Sequence, residues 1–188
     1  MNVYDFDNTI YDGESIVDFY LFLIKYNPRL LMLFPKMVYM LIRYKLCKIT
    51  QYELLFEAEK YIKKIFDEND IKGLIPKFWD KNARKIKKFY LESKREDDII
   101  LSAGADILIS EMCSRIGVKN VVASKIDVEN GKVLRLCYRE NKVKIFKELF
   151  PETVVDQFYT DSMNDASMFE IANQVFIVKG EQIKEFKL

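Results

Sequence analysis

Residues 14–96 stand between one short apolar strand and the rest of the strand-forming chain, and this interruption limits the folds open to it. Val3, Tyr4 and Phe6 read as a strand. After residue 97, strand and helix patterns alternate: Ile99–Ser102 a strand, Asp106–Ile116 a helix, Lys119–Ala123 a strand. Ser124–Tyr138 reads as a β-hairpin turning on Glu129-Asn130-Gly131-Lys132, since Asn-Gly supplies the positive φ that a tight hairpin needs. Asn141 is expected to cap a helix that runs to Leu149 and stops at Pro151. Val154–Tyr159 follows as a strand, Asn164–Ala172 as a helix and Gln174–Val178 as the last strand. Between them, residues 14–96 show helical apolar periodicity and a single glycine, Gly73. The pattern predicts an α/β protein: a Rossmann-like parallel sheet core from 1–13 and 97–188, and an inserted all-helical unit over 14–96.

The first strand carries Asp5 and Asp7 into the motif Asp5-Phe6-Asp7-Asn8-Thr9. Residues two apart on a strand point the same way, so both carboxylates emerge at its C-terminal end, the edge where open α/β sheets bind ligands. Adjacent carboxylates need a proton or a cation to offset their repulsion. By itself this pattern also describes ordinary turns and helix caps. Three later signals alter the reading: Ser102 closing an apolar strand, Lys142 at a helix start, and the cluster Thr160-Asp161-Ser162-Met163-Asn164-Asp165.

Composition removes several chemistries. With no histidine, His general bases, Ser-His-Asp triads and most zinc sites are excluded. Cys47, Cys113 and Cys137 lack CxxC spacing, which fits buried thiols in a reducing cytoplasm. The candidate strand begins almost at Met1, so no secretory leader is expected. The net charge of +1 hides an asymmetry: residues 14–96 hold 18 Lys+Arg against 11 Asp+Glu, and the remainder 12 against 18. A basic insertion suits an anionic substrate or surface, or simply solvated helix faces. Basic residues diluted along helices, without a binding motif, do not support a nucleic-acid partner. Within 16–47, Lys25, Arg29, Lys36 and Arg43 interrupt the apolar runs and Pro28 and Pro35 break the helix, so no spanning segment is expected. A buried helical hairpin and a helix lying on a bilayer both fit this stretch.

These four motifs, in this order from Asp5 to Asp165, resemble the haloacid dehalogenase (HAD) superfamily in its phosphoserine-phosphatase-like branch. The stretch Asp161-Ser-Met-Asn-Asp-Ala-Ser-Met-Phe is especially similar to that branch's fourth motif. The resemblance implies Asp5 as nucleophile, Asp7 as general acid and base, Ser102 as a hydrogen-bond donor to the phosphoryl group and Lys142 as the offsetting cation, with Lys144 the neighbouring alternative. It implies Mg²⁺ held by Asp5, the main-chain carbonyl of Asp7 and Asp161, with Asp165 near the metal or paired with the lysine. Thr9, Glu14, Ala103, Gly104 and Asn164 fall at substrate-side positions. It also implies that residues 14–96 are a cap closing over the site. Thr160 stands where the family often has glycine, Ala103-Gly104 replaces a glycine pair, and no arginine matches the one that holds phosphoserine's carboxylate. More loosely, the Phe/Leu-rich and basic segment up to Lys45 is similar to the bacterial phosphatidylglycerophosphatase C group, in which it would face a membrane.

The expectation is a cytoplasmic Mg²⁺-dependent phosphomonoester hydrolase acting through an aspartyl-phosphate on a small phosphorylated metabolite. The alternatives are a lipid-phosphate phosphatase with peripheral membrane contact through 16–47 and a non-catalytic phosphate- or metal-binding module. The oligomeric state is left open.

Overall fold

The computed structural model describes residues 1–187. The chain enters through strand β1 (Asn2–Tyr4), whose three residues are all buried. Helix α1 (Ser15–Tyr26) ends before Pro28, which opens a 3₁₀ turn at Pro28–Leu33. Helix α2 (Phe34–Lys45) has Pro35 in its first turn, where the missing N–H costs nothing. A reciprocal capping box starts α3 (Gln51–Asp67): Thr50 Oγ1 accepts from Glu53 N at 3.2 Å, and Glu53 Oε2 accepts from Thr50 N at 2.8 Å. Next come α4 (Ile71–Asn82), capped by Asp70, and the short α5 (Lys88–Ser93).

The alternating part follows as β2 (Ile99–Ala105), α6 (Asp106–Arg115), β3 (Asn120–Asp127), β4 (Lys132–Arg135), α7 (Glu140–Leu149), β5 (Val155–Thr160), α8 (Ala166–Phe169), β6 (Ala172–Lys179) and β7 (Gln182–Phe186). All seven strands form one sheet in the order β4-β3-β2-β1-β5-β6-β7. β1 lies at its centre, parallel to β2 through Val3↔Ile99 and to β5 through Val3↔Phe158; only the edge strands β4 and β7 run antiparallel.

Side-chain alternation along β1 feeds a core on each face of the sheet. Val3 joins Ile145 and Phe146 of α7 and Met168 and Phe169 of α8. Tyr4 joins Leu108 and Met112 of α6, Phe78 and Trp79 of α4, and Tyr90 of α5. The Trp79 indole N–H donates to Leu108 O at 2.8 Å and ties α4 to α6. The insertion is thus held to the α/β body through α4 and α5, through α1 on β2 and through α3 on β4, while α2 packs on α3 and on the Pro28–Leu33 turn.

Several boundaries differ from the expected ones. Lys119–Ala123 and the first arm of the hairpin are one strand, β3, because nothing breaks the chain at Ser124. The Asn-Gly turn forms as expected, with Gly131 at φ 66° and Gly131 N bonded to Asp127 O at 2.8 Å. A Cβ there would sit 2.5 Å from Lys63 Cα of α3, so the turn also needs glycine for this close approach. Asn141 is not a cap: α7 starts at Glu140, and Arg139, at φ 51°, precedes it without a side-chain cap bond. The helix expected over Asn164–Ala172 shrinks to a 3₁₀ turn (Met163–Asp165) and α8, because Ala172 already pairs with Val155 in the sheet. Gln174–Val178 is not the last strand. The exposed, charge-rich β7 follows it and offers little apolar pattern to read.

Candidate active site

β1 delivers Asp5 to the C-terminal edge of the sheet, and Asp5 N continues the ladder by donating to Tyr159 O at 2.9 Å. The chain then turns sharply. Ile10 N and Tyr11 N both bond Phe6 O, Asn8 takes φ 55°, and Asn8 N bonds Gly13 O at 3.0 Å. The buried ammonium of Lys87 donates to Asn8 O and fastens this turn from the far end of the insertion. Asp7 Oδ1 accepts from Ser15 N at 2.7 Å, an N–H of the first turn of α1. Glu14, at the N-cap, makes no cap bond; its carboxylate is exposed and accepts from Asn8 Nδ2 at 2.7 Å. Thr9 is fully buried and its hydroxyl has no hydrogen-bond partner.

The centre of the site is Lys142, whose side chain is 2% exposed. Its Nζ donates to Asp5 Oδ1 at 2.8 Å and to Asp165 Oδ2 at 2.9 Å, bridging β1 and the segment after β5. Thr160 Oγ1 donates to the same Asp165 oxygen at 2.8 Å. Burial would lower the lysine's affinity for its proton, but Asp5 and Asp165 together outweigh it and hold the ammonium above its usual range. Burial pushes the Asp5 carboxyl up to about 7 despite Lys142, with Asp165 and Asp7 adding repulsion. Asp7 is pushed up to about 6 by burial, against the pull of Ser15. Asp161 is raised too, first by burial and then by Glu14 and Asp165.

On the other side stands the end of β2. Ser102 is buried and its Oγ accepts from Gly104 N at 3.0 Å. A Cβ on Gly104 would lie 3.0 Å from Ile109 Cδ1 and 3.2 Å from Ser102 Oγ, so a side chain there would crowd both. Ser124 of β3 braces it by donating to Ala103 O at 2.8 Å and accepting from Cys137 N at 3.0 Å. Ala103 is exposed. Asn164 is exposed on the opposite rim, its N–H donating to Ser162 Oγ at 3.1 Å.

Asp5, Lys142 and Asp165 are therefore in direct contact, Asp7 and Glu14 lie on the turn above them, and Ser102–Gly104 and Asn164 come from neighbouring strand ends. Lys87, Ser124 and Ser15 were not anticipated: Lys87 sits inconspicuously in a lysine run, and the two serines flank no motif. Thr160 had a visible signal, since it occupies a position where glycine is common.

The donor set suits a hard cation. Asp5 and Asp161 could supply carboxylate oxygens and Asp7 a main-chain carbonyl, and burial makes the two carboxyls poor at holding charge unaided. Among the described residues no three His, Cys, Asp or Glu side chains converge on one point. A set of two carboxylates and a carbonyl does not require that, and Asp165 is engaged by Lys142 and Thr160.

Comparison with known proteins bears on the fold and the family. No curated protein matches the chain. A protein of unknown function from Bordetella pertussis Tohama I superposes with a TM-score of 0.71 at 16% identity, over 93% of this chain and 87% of that one. A HAD family hydrolase from Salmonella enterica serovar Typhi gives 0.63 at 15%, over 90% and 59%. A phosphoserine phosphatase solved as an analogue of its phospho-aspartyl intermediate gives 0.54 at 18%, over 92% and 83%. At these identities the likeness is one of fold. The family model for haloacid dehalogenase-like hydrolases matches residues 3–170, from β1 through α8, and with every motif inside that span the chain belongs to this family of hydrolases.

Proposed function

We propose that this hydrolase is a Mg²⁺-dependent phosphomonoesterase that works through an aspartyl-phosphate on Asp5. The observation that carries the reading is the buried ammonium of Lys142 held between Asp5 and Asp165 at the C-terminal edge of the sheet. An anionic nucleophile meeting an anionic ester needs such a fixed positive charge. Fold likeness to a phosphoserine phosphatase supports the same reading.

Lys142 occupies Asp5 Oδ1, which leaves Oδ2 to attack phosphorus. As that bond forms, the P–O bond to the leaving group breaks, and Asp7 gives its proton to the departing alkoxide. A carboxyl raised to about 6 can both hold that proton and give it up. Water then attacks the phosphorus, Asp7 takes its proton, and Asp5 is released with inorganic phosphate. Ser102 and the main chain at Ala103-Gly104 position the phosphoryl oxygens, and Asn164 faces the rim. Asp5, the Asp7 carbonyl and Asp161 would hold Mg²⁺, which supplies charge neutralisation of the phosphoryl oxygens when bound. Residues 14–96 serve as the cap. Because Asp7 is bonded to Ser15 N, motion of α1 is transmitted to the acid.

The test is Mg²⁺-dependent release of p-nitrophenol from p-nitrophenyl phosphate. Wild type should turn over and Asp5→Asn should be inactive while melting as a folded protein; equal rates in the two would refute the assignment.

A further inference from the structure

Resting on that reading, we propose that Lys87 is a positioning residue: from the returning end of the insertion it fixes the turn that presents the Asp7 carbonyl to Mg²⁺, so that metal affinity depends on how insertion and body are joined. The chain leaves for the insertion's first helix through residues 10–14 and comes back to the same turn through 83–88. The two crossings are laced together. Asp12 N donates to Lys85 O at 2.8 Å and Lys87 N to Ile10 O at 2.8 Å, around an antiparallel bridge between Tyr11 and Ile86. Beside them, Tyr11 Oη and Lys85 Nζ both donate to Asp18 Oδ2, at 2.7 and 2.6 Å.

Asn8 is the residue that this seam grips. Its φ of 55° lies in the left-handed region, which a residue other than glycine keeps only where its surroundings fix it. Three bonds do so. Asn8 N donates to Gly13 O at 3.0 Å, Asn8 Nδ2 donates to Glu14 Oε1 at 2.7 Å, and Asn8 O accepts from Lys87 Nζ. All three partners stand on the two crossings. In a planar trans peptide the N–H and C=O point opposite ways. With Asn8 N–H turned to Gly13, the Asp7 carbonyl faces away from the seam, and it would swing if Asn8 left its conformation. Of the three bonds, that of Lys87 needs most explanation. Lys87 is 3% exposed and its ammonium meets a neutral carbonyl, while Asp12, Glu181 and Asp161 act on it only through space. A structural tie alone would not call for a buried charge without a contacting counter-ion. The charge also yields a test by sign. A cation acting on Asp161 opposes a second cation there, so removing it should tighten Mg²⁺ binding if charge alone mattered, whereas loss of positioning should weaken it.

Mg²⁺ is titrated calorimetrically into the folded protein without substrate. Lys87→Met should raise Kd about 10–100-fold, the range for removing a residue that orients a metal ligand. Lys87→Arg, which keeps a charged donor, should bind Mg²⁺ more tightly than Lys87→Met. Asp18→Asn loosens the same seam without touching Asn8, and should lower the melting temperature while leaving Kd unchanged. An unchanged or smaller Kd in Lys87→Met, or an equal loss in Asp18→Asn, overturns the inference and leaves the Mg²⁺ reading standing. A wild type that binds no Mg²⁺ overturns both. The wild type supplies a second readout that needs no variant. Coupling is reciprocal, so Mg²⁺ should slow amide hydrogen exchange across 83–88, and equal exchange with and without the metal overturns the inference.

Discussion

Replacing Lys142 by Met keeps most of the side chain's volume and removes one charge. In the folded protein that charge faces two carboxylates at 2.8 Å, and all three groups are nearly excluded from solvent, the side chains being 2, 11 and 4% exposed for Lys142, Asp5 and Asp165. Removing one member of a buried ionic cluster costs about 3–5 kcal/mol, because the remaining charges stay desolvated without compensation. A domain of this size loses roughly 2–4 °C of melting temperature per kcal/mol, so the variant should melt about 6–20 °C below wild type at pH 8. The deficit should depend on pH in one direction. In wild type, burial raises Asp5 from 3.8 in the unfolded chain to about 7 in the folded one. Protonation therefore favours the folded state, and that contribution, complete below about pH 4, fades as pH rises through 7. Without Lys142 the carboxyl is pushed higher still, so the variant has most to gain from acid. Thermal melts followed by circular dichroism at pH 5, 6.5 and 8 should show the gap between variant and wild type narrowing as pH falls. A variant melting within 2 °C of wild type at pH 8, or a gap that widens in acid, would refute the electrostatic account of the site.

Ellman's reagent should label one thiol rapidly in the native protein, the exposed Cys47, and all three in denaturant, since burial pushes the Cys113 and Cys137 thiols up to about 12; rapid native labelling of two or more would contradict the packing. Gly131→Ala should destabilise by roughly 2 kcal/mol or more, from the left-handed backbone and the 2.5 Å approach to Lys63, as read from urea midpoints; an unchanged midpoint would mean the hairpin does not rest on α3. Beryllium fluoride with Mg²⁺ should slow hydrogen exchange in α1, whose first turn is bonded to Asp7, and equal exchange with and without the analogue would break the proposed link between cap and acid.

The candidate site was legible wherever neighbouring residues carry it together. Asp5 and Asp7 share a strand end, Ser102 closes an apolar run, and Asp161 and Asp165 fall on one short turn, so local pattern sufficed. Lys87 and Ser124 reach the site only through tertiary packing: Lys87 from the far end of the insertion, and Ser124 from the middle of a strand whose apolar pattern gives no hint that its hydroxyl braces the neighbouring bend. Helix edges failed for a related reason. Asn141 has the composition of a cap, but the backbone at Arg139 sets where α7 begins, and pairing with β5 draws Ala172 out of its expected helix. β7 escaped notice because an exposed edge strand needs no apolar alternation. Within 16–47 the pattern fits a buried hairpin and a helix on a bilayer alike, and only the fold shows Ile16, Val17, Phe34 and Leu41 open to solvent.

The position of β1 has a consequence for how the protein is made. Its two neighbours in the sheet, β2 and β5, begin at Ile99 and Val155, so the strand bearing Asp5 has no partner until Ile99 has been made and no second one until Val155. Until Thr160 and Asp165 have left the ribosome, Lys142 lacks its second carboxylate and the central strand has one open edge. Pairings this distant in sequence close slowly and leave an unpaired edge exposed to association meanwhile. The helical insertion, rich in local contacts, can form first and hold the turn after β1 through Lys87, bonded to Asn8 O, and Trp79, packed on Phe6 and Tyr11. In this chain the insertion would then act first as a scaffold that shelters a strand, and only later as a cover for what that strand carries.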